Sequence, residues 1–191
     1  MDIAVLADAV YEDLEPQVVA ARLGQDDELV LTLECDDWVS LTHRRTFNLS
    51  CKNIRESNLE VGAIGGLAFV TDHPVLMPQI GAQGQLFFSS APSSPEEVFY
   101  LTHRVLTDIF GPWRTPQEFL NGGPEALYGY LKGGSGLLAR GPIPMLEQLA
   151  GALNKKLKVS VVKSHSALNG IGALLMDSQF VICESVEVEE C

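Results

Sequence analysis

The sequence predicts an α+β fold, a mainly antiparallel β part followed by helices packed on a C-terminal sheet. Three observations predict it. Apolar residues alternate with period two through much of the first half, recur at helical spacing between residues 94 and 158, and return to short apolar runs afterwards. Strands, then helices, then strands is the order of an α+β chain, not the strand–helix alternation of a doubly wound sheet. The division falls at residue 90, with 1–90 mainly β and 91–191 helical plus the final sheet, or both parts form one domain over 1–191.

Taken in order, Val5, Leu6, Ala9, Val10 and Leu14 form a short helical stripe that Pro16 ends, and Val18 to Leu23 adds another helical turn. After Gly24-Gln25-Asp26-Asp27 the period becomes two. Leu29, Leu31, Leu33 and Cys35 alternate with Val30, Thr32 and Glu34, and a second alternating run spans Leu41 to Asn53. The two read as an antiparallel hairpin. Short strands at Leu67–Val70 and Leu86–Phe88 flank a Pro- and Gly-rich excursion, Thr71 to Gly84, whose length points to a packed or functional loop.

Ser94-Pro95-Glu96-Glu97 then carries an N-cap serine, proline at the first helical position and glutamate three residues on. Gly111-Pro112 stops the helix that follows. Thr115-Pro116-Gln117-Glu118 repeats the device over a short helix ended by Asn121-Gly122-Gly123. Further helices run from Pro124 to Lys132 and from Pro144 to Lys158, and strands close the chain at Leu157–Val162, Ala173–Met176 and Phe180–Val188.

Charge is distributed unevenly. The net charge is −12 and the pI about 4.6. Residues 1–37 carry eleven acids and one base, residues 177–191 five acids and no base, and the stretch between them is net +3. A field clustered in this way steers association. It favours a basic protein partner and disfavours nucleic acid, whose binding is driven by neutralising phosphates. No apolar run reaches the roughly 20 residues of a membrane span, so no membrane partner is expected. Asp2 and Asp8 stand where an export signal would carry bases, which points to the cytoplasm. Composition and spacing leave the oligomeric state open.

Four scattered cysteines, Cys35, Cys51, Cys183 and Cys191, form no CxxC pair and no finger-like spacing with histidine. Reduced thiols are expected, although Cys35 and Cys51 lie in neighbouring predicted strands. No cofactor and no metal is expected. The histidines show no ligand spacing, and Ser164-His165-Ser166 reads as a polar turn. Trp113-Arg114 reads as a staple over the preceding helix end or a surface anchor.

Two groups are candidates for small-molecule binding. His43 and Arg45 share a strand face with Phe47 and Leu49, and His73 in the Pro-rich excursion would complete an acid–base or anion-binding cluster if the fold brought it near. Lys132 precedes Gly134, Ser135 and Gly136, a glycine turn whose amides can cradle an anion. It lacks the P-loop ending and the dinucleotide-binding pattern, and a flexible connector between two helical segments is the favoured reading.

The acidic ends supply the interaction candidates Asp26, Asp27, Glu28, Asp36, Asp37, Glu184, Glu187 and Glu189. Two functions follow as expectations. The first is a non-enzymatic interaction protein of inhibitor, immunity or chaperone-like type that presents acids to a basic partner. The alternative is a binding protein or enzyme with a pocket between the two parts that uses the His/Arg cluster. No residue spacing defines a catalytic set, so enzymatic activity is left open.

Overall fold

A computed structural model describes residues 1–40, 43–164 and 170–191. The elements in chain order are α1 (Ile3–Ala9), β1 (Gln17–Leu23), β2 (Leu29–Asp36), β3 (Arg44–Lys52), β4 (Glu56–Ser57), β5 (Gly62–Ala63), β6 (Ala68–Val70), β7 (Gln83–Phe88), α2 (Pro95–Phe110), α3 (Pro124–Gly133), β8 (Gly136–Pro142), α4 (Ile143–Leu153), β9 (Val159–Ser164), β10 (Gly172–Met176), β11 (Gln179–Cys183) and β12 (Ser185–Glu190). Every strand pairing is antiparallel. The molecule is mixed α+β, as the periodicities predict. Leu41 and Thr42, at the start of the second alternating run, and the turn at His165-Ser166 lie outside the described residues.

The chain forms two compact units, Met1–Leu76 with Gly170–Cys191, and Met77–Asn169. Strands from both ends of the sequence therefore build the first unit. Its larger sheet has the order β12-β3-β2-β1-β5 and its smaller one β4-β11-β10-β6. Leu31, Leu33, Phe47 and Leu49 of the larger sheet share one buried cluster with Leu174, Met176 and Val181 of the smaller, joined by Leu6 of α1. Alternation explains the faces: along β3, Phe47, Leu49 and Cys51 are buried while Asn48, Ser50 and Lys52 are partly exposed.

Two local readings differ from the sequence expectation. Val18 to Leu23 is strand β1, not a helical turn, because it completes a hairpin with β2 from Gln17 opposite Glu34 to Leu23 opposite Leu29. Cross-strand pairing outweighs the intrinsic helical preference of Ala20, Ala21 and Arg22. The final run is two strands, not one. The chain leaves the smaller sheet after Cys183, Glu184 donates its N–H to the Lys52 carbonyl at 2.9 Å, and β12 continues beside β3.

The cysteines are free thiols. Cys51 lies opposite Leu29 and Cys35 opposite Arg45, six residues further along β2. That is about 20 Å of strand, far beyond the roughly 7 Å limit of a disulfide. Cys51 instead meets Cys183, and their hydrogen bond together with burial raises the Cys51 thiol pKa.

In the second unit a three-stranded sheet, β8-β7-β9, packs against α4, and α2 packs on α4. The predicted caps form. Ser94 Oγ accepts from the Glu97 N–H at 3.2 Å, and Glu118 Oε1 accepts from the Thr115 N–H at 2.7 Å. Gly84 of β7 leaves room for α4, since a Cβ there would stand 2.5 Å from Ile143 Cδ1. After Trp113 it is Arg114 that is buried, paired with Glu118 at 2.9 Å.

Candidate functional site

The larger sheet of the first unit brings the acidic ends of the chain together. β2 and β12 flank β3, so Glu34 on one and Glu187 and Glu189 on the other stand on either side of the basic β3 residues. By residue count the first unit holds nineteen acids and five bases, a net charge of −14, whereas the second holds six acids and eight bases, a net of +2.

Four of the first unit's five bases are spent inside it. Arg44 faces Asp36 at 3.4 Å and Glu34 at 3.8 Å. Arg45 meets Glu190 at 2.6 Å and Asp37 at 3.8 Å. Lys52 binds Glu28 at 2.5 Å and approaches Glu187 at 3.6 Å, and Arg55 pairs with Glu184 at 3.1 Å. The titration of the partners follows. The Lys52 ammonium holds the Glu28 carboxyl below its ordinary range and is itself pushed up by it. Asp37 is held low chiefly by the Ser40 hydroxyl, with amide bonds from Val39 and Ser40 and the charge of Arg45 adding to it.

Of the eight interaction candidates, Glu28, Asp36, Asp37, Glu184 and Glu187 are thus countered. Asp26, Asp27 and Glu189 are exposed and form no ion pair with the described residues. Asp26 and Asp27 occupy the tip of the β1–β2 hairpin, both with left-handed φ near +55°.

Beside this sheet a cavity of about 640 Å³ opens in the first unit, bordered by Glu12, Glu15, Gln17, Arg44, Gly65 and Asp177 among others. A 3-10 turn, Glu12–Leu14, places Glu12, and Glu15 follows it in a left-handed conformation, φ 46° and ψ 50°. Arg44 Nη2 donates to the Glu15 carbonyl at 3.1 Å. Asp177, at the tip of the β10–β11 hairpin and also left-handed, accepts from the Gly65 N–H at 2.7 Å. Three carboxylates and one guanidinium leave the rim net negative, a setting that attracts an ammonium or guanidinium group. Sequence reasoning missed Glu12, Glu15 and Asp177. The left-handed residues are the signal: an acid before Pro16, and Asp177-Ser178 between two apolar runs, mark the tight turns that aim them.

The other candidates are placed apart from this cavity. His43 is exposed, and its carbonyl accepts from the Asp37 N–H at 2.8 Å. Arg45 lies 3.8 Å over the Trp38 ring, held by Glu190. His73 Nδ1 accepts from the Val75 N–H at 3.2 Å, and partial burial lowers the imidazole pKa. None of the three borders this cavity. Lys132 sits 4.5 Å over the Tyr128 ring at the end of α3. Gly134 caps that helix with φ 81°, its N–H bonded to the Leu131 carbonyl, while Ser135 is exposed and Gly136 begins β8. The glycine run is a helix terminus leading into a strand.

Among the described residues no group of three or more His, Cys, Asp or Glu is arranged to hold a metal ion, and no helix is long and apolar enough to cross a membrane. Comparison with protein-family models, with curated proteins and with solved structures finds no match to this chain.

Proposed function

We propose that this chain is a non-enzymatic interaction protein whose first unit presents an acidic surface to a basic protein partner. The observation that carries the reading is the segregation of charge: a net of −14 on one compact unit against +2 on the other. Even solubility would be served by mixed charges, and concentrating them costs self-repulsion. Internal ion pairs consume four of the unit's five bases and still leave Glu12, Glu15, Asp26, Asp27 and Glu189 without an ion-pair partner among the described residues. The cavity between Glu12, Glu15 and Asp177 is roomy enough to admit a long basic side chain of the partner, and the hairpin tip at Asp26-Asp27 supplies a second contact.

The test is a titration with a labelled eight-residue Lys/Arg peptide at several salt concentrations, read together with hydrogen exchange on the protein. Saturable binding should weaken as the screening length falls below about 10 Å near 0.1 M salt. Protection should appear around residues 12–17 and 63–65, and Glu12→Gln with Glu15→Gln should weaken binding about fivefold or more. A footprint confined to residues 77–164, or affinity indifferent to salt, would refute the reading.

A further inference from the structure

Sheet edges differ in how they are closed. The outer side of β8 bonds to residues 119–121, through Arg140 N–H to the Phe119 carbonyl at 2.8 Å and Asn121 N–H to the Leu138 carbonyl at 3.0 Å. On β12 the Met1 ammonium occupies the Val188 carbonyl at 2.9 Å. β4 and β5 have two residues each and β6 three, too short to template another chain. Among the described residues three longer edges stay open, Val19–Leu23 of β1, most of β12 and the whole of β9.

The backbone of β9 can be read from its register. Ser89 N–H bonds to the Lys158 carbonyl at 3.0 Å, and Phe88 lies opposite Val159. Bonded and non-bonded pairs alternate in an antiparallel ladder. Ser160, Val162 and Ser164 therefore bond to β7, while Val159, Val161 and Lys163 turn their N–H and C=O groups outward. Those outward groups form a self-complementary set. In an antiparallel pair of β9 strands centred on Val161, each Val161 exchanges two bonds with its twin and Val159 exchanges two with Lys163. No like charges oppose: Lys163 faces Val159 of the other copy, and the two Lys163 residues stand about 13 Å apart along the strands, beyond the roughly 8 Å screening length at physiological salt. Val162, 53% exposed, would lie across from Ser160.

We propose that a second copy of this chain docks on the edge of β9, joining two three-stranded sheets into one six-stranded sheet through a two-fold axis at Val161. Charge singles out this edge over β1 and β12. Two copies meeting at β1 or β12 would bring together units of net −14, whereas β9 belongs to the unit of net +2. The proposal is independent of the basic partner, which would use the first unit.

The test is sedimentation equilibrium of the full chain from roughly 1 to 200 µM, expecting a dimer of the 20.7 kDa chain. Val161→Pro deletes an outward N–H that β7 does not use, so the unit should keep its fold by circular dichroism while dimerisation weakens about tenfold or more. Two further variants guard against a folding failure. Ser160→Glu with Val162→Glu, and Ser160→Lys with Val162→Lys, should each be monomeric alone, and a mixture of the two should dimerise because 160 faces 162 across the axis. A monomer throughout the concentration range, or a dimer indifferent to all three variants, would overturn the proposal.

Discussion

Replacing Arg45 by alanine separates two roles for that residue, a ligand-binding group, as its sequence neighbourhood implies, or a clamp that ties β12 to the β2–β3 hairpin. Arg45 Nε and Nη2 both reach Glu190 Oε1, at 2.7 and 2.6 Å, and the guanidinium lies 3.8 Å over the Trp38 ring. The Arg45 side chain is 21% exposed and Glu190 43%, so the ion pair contributes near the upper end of the exposed range, about 1 kcal/mol. The stacked cation adds about 0.5–1 kcal/mol. Arg45→Ala should therefore destabilise the first unit by about 1.5–2 kcal/mol, and Arg45→Lys, which keeps charge and loses the planar stack, by about half of that. The assay is urea unfolding followed by Trp38 fluorescence in a Trp113→Phe background, which leaves one tryptophan and it lies in the first unit. A double-mutant cycle with Glu190→Gln should return a coupling of about 1 kcal/mol. Arg45→Ala within about 0.3 kcal/mol of the parent, or zero coupling, would refute the clamp, since a residue kept for a ligand leaves stability unchanged when removed.

In the native protein a thiol reagent should label Cys191 alone, because it is exposed while Cys35, Cys51 and Cys183 are fully buried; four thiols should react in denaturant, and fewer than four would reveal a disulfide. Gly84→Ala should destabilise the second unit by about 1–3 kcal/mol, since the new Cβ meets Ile143 Cδ1 at 2.5 Å and the Val162 carbonyl at 2.8 Å; a stability unchanged in urea unfolding would show that α4 yields freely. The His103 ring packs against Phe99, centroids 4.2 Å apart and planes tilted by 38°, with Nε2 buried and unbonded, and burial lowers its pKa. The unfolded chain thus binds that proton more readily, so the contribution to stability is complete above about pH 6.5 and is lost as pH falls through the lower folded value. His103→Phe keeps the ring contact and should flatten this part of the pH–stability curve, and an unchanged slope would exclude His103 as its source.

Much of the secondary structure was legible where one physical signal acted alone. The Ser94 cap, the proline after it and the Gly111 stop bracket α2 from Pro95 to Phe110, because capping chemistry is local. Alternation found β2 and β3 for the same reason. Reading failed where partners distant in sequence decide the outcome. β1 is a strand because β2 pairs with it, and β8 escaped notice because Gly136 to Pro142 carries no clean alternation and is held by β7. The single run Phe180 to Val188 divides at Glu184 because Lys52, Asn53 and Arg55, some 130 residues earlier, capture that residue's backbone and carboxylate.

The candidate site shows the same limit in electrostatic terms. Counting charges along the chain locates the acids at both ends, but it cannot show that the bases of the body are interleaved with them. Register does: Arg44 opposite Asp36, Arg45 opposite Cys35, and Lys52 opposite Ser185 set the β3 cations between two acidic strands. Pairing of this kind converts most of the sheet's acids into structure and moves the surplus to its margins, at the Asp26-Asp27 tip and around Glu12, Glu15 and Asp177. Those margins are turns, and four of the five acids, all but Glu12, have left-handed backbones that few residue types adopt without cost. Asp tolerates that conformation better than most, which accounts for three of the four. Glu15 has no such excuse, and its position on the cavity wall beside Arg44 makes it the residue whose replacement by glycine best separates strain from recognition. Glu15→Gly would relieve the backbone and remove the carboxylate together, so a gain in stability accompanied by weaker binding of the basic peptide is the combination expected if the conformation is maintained for recognition.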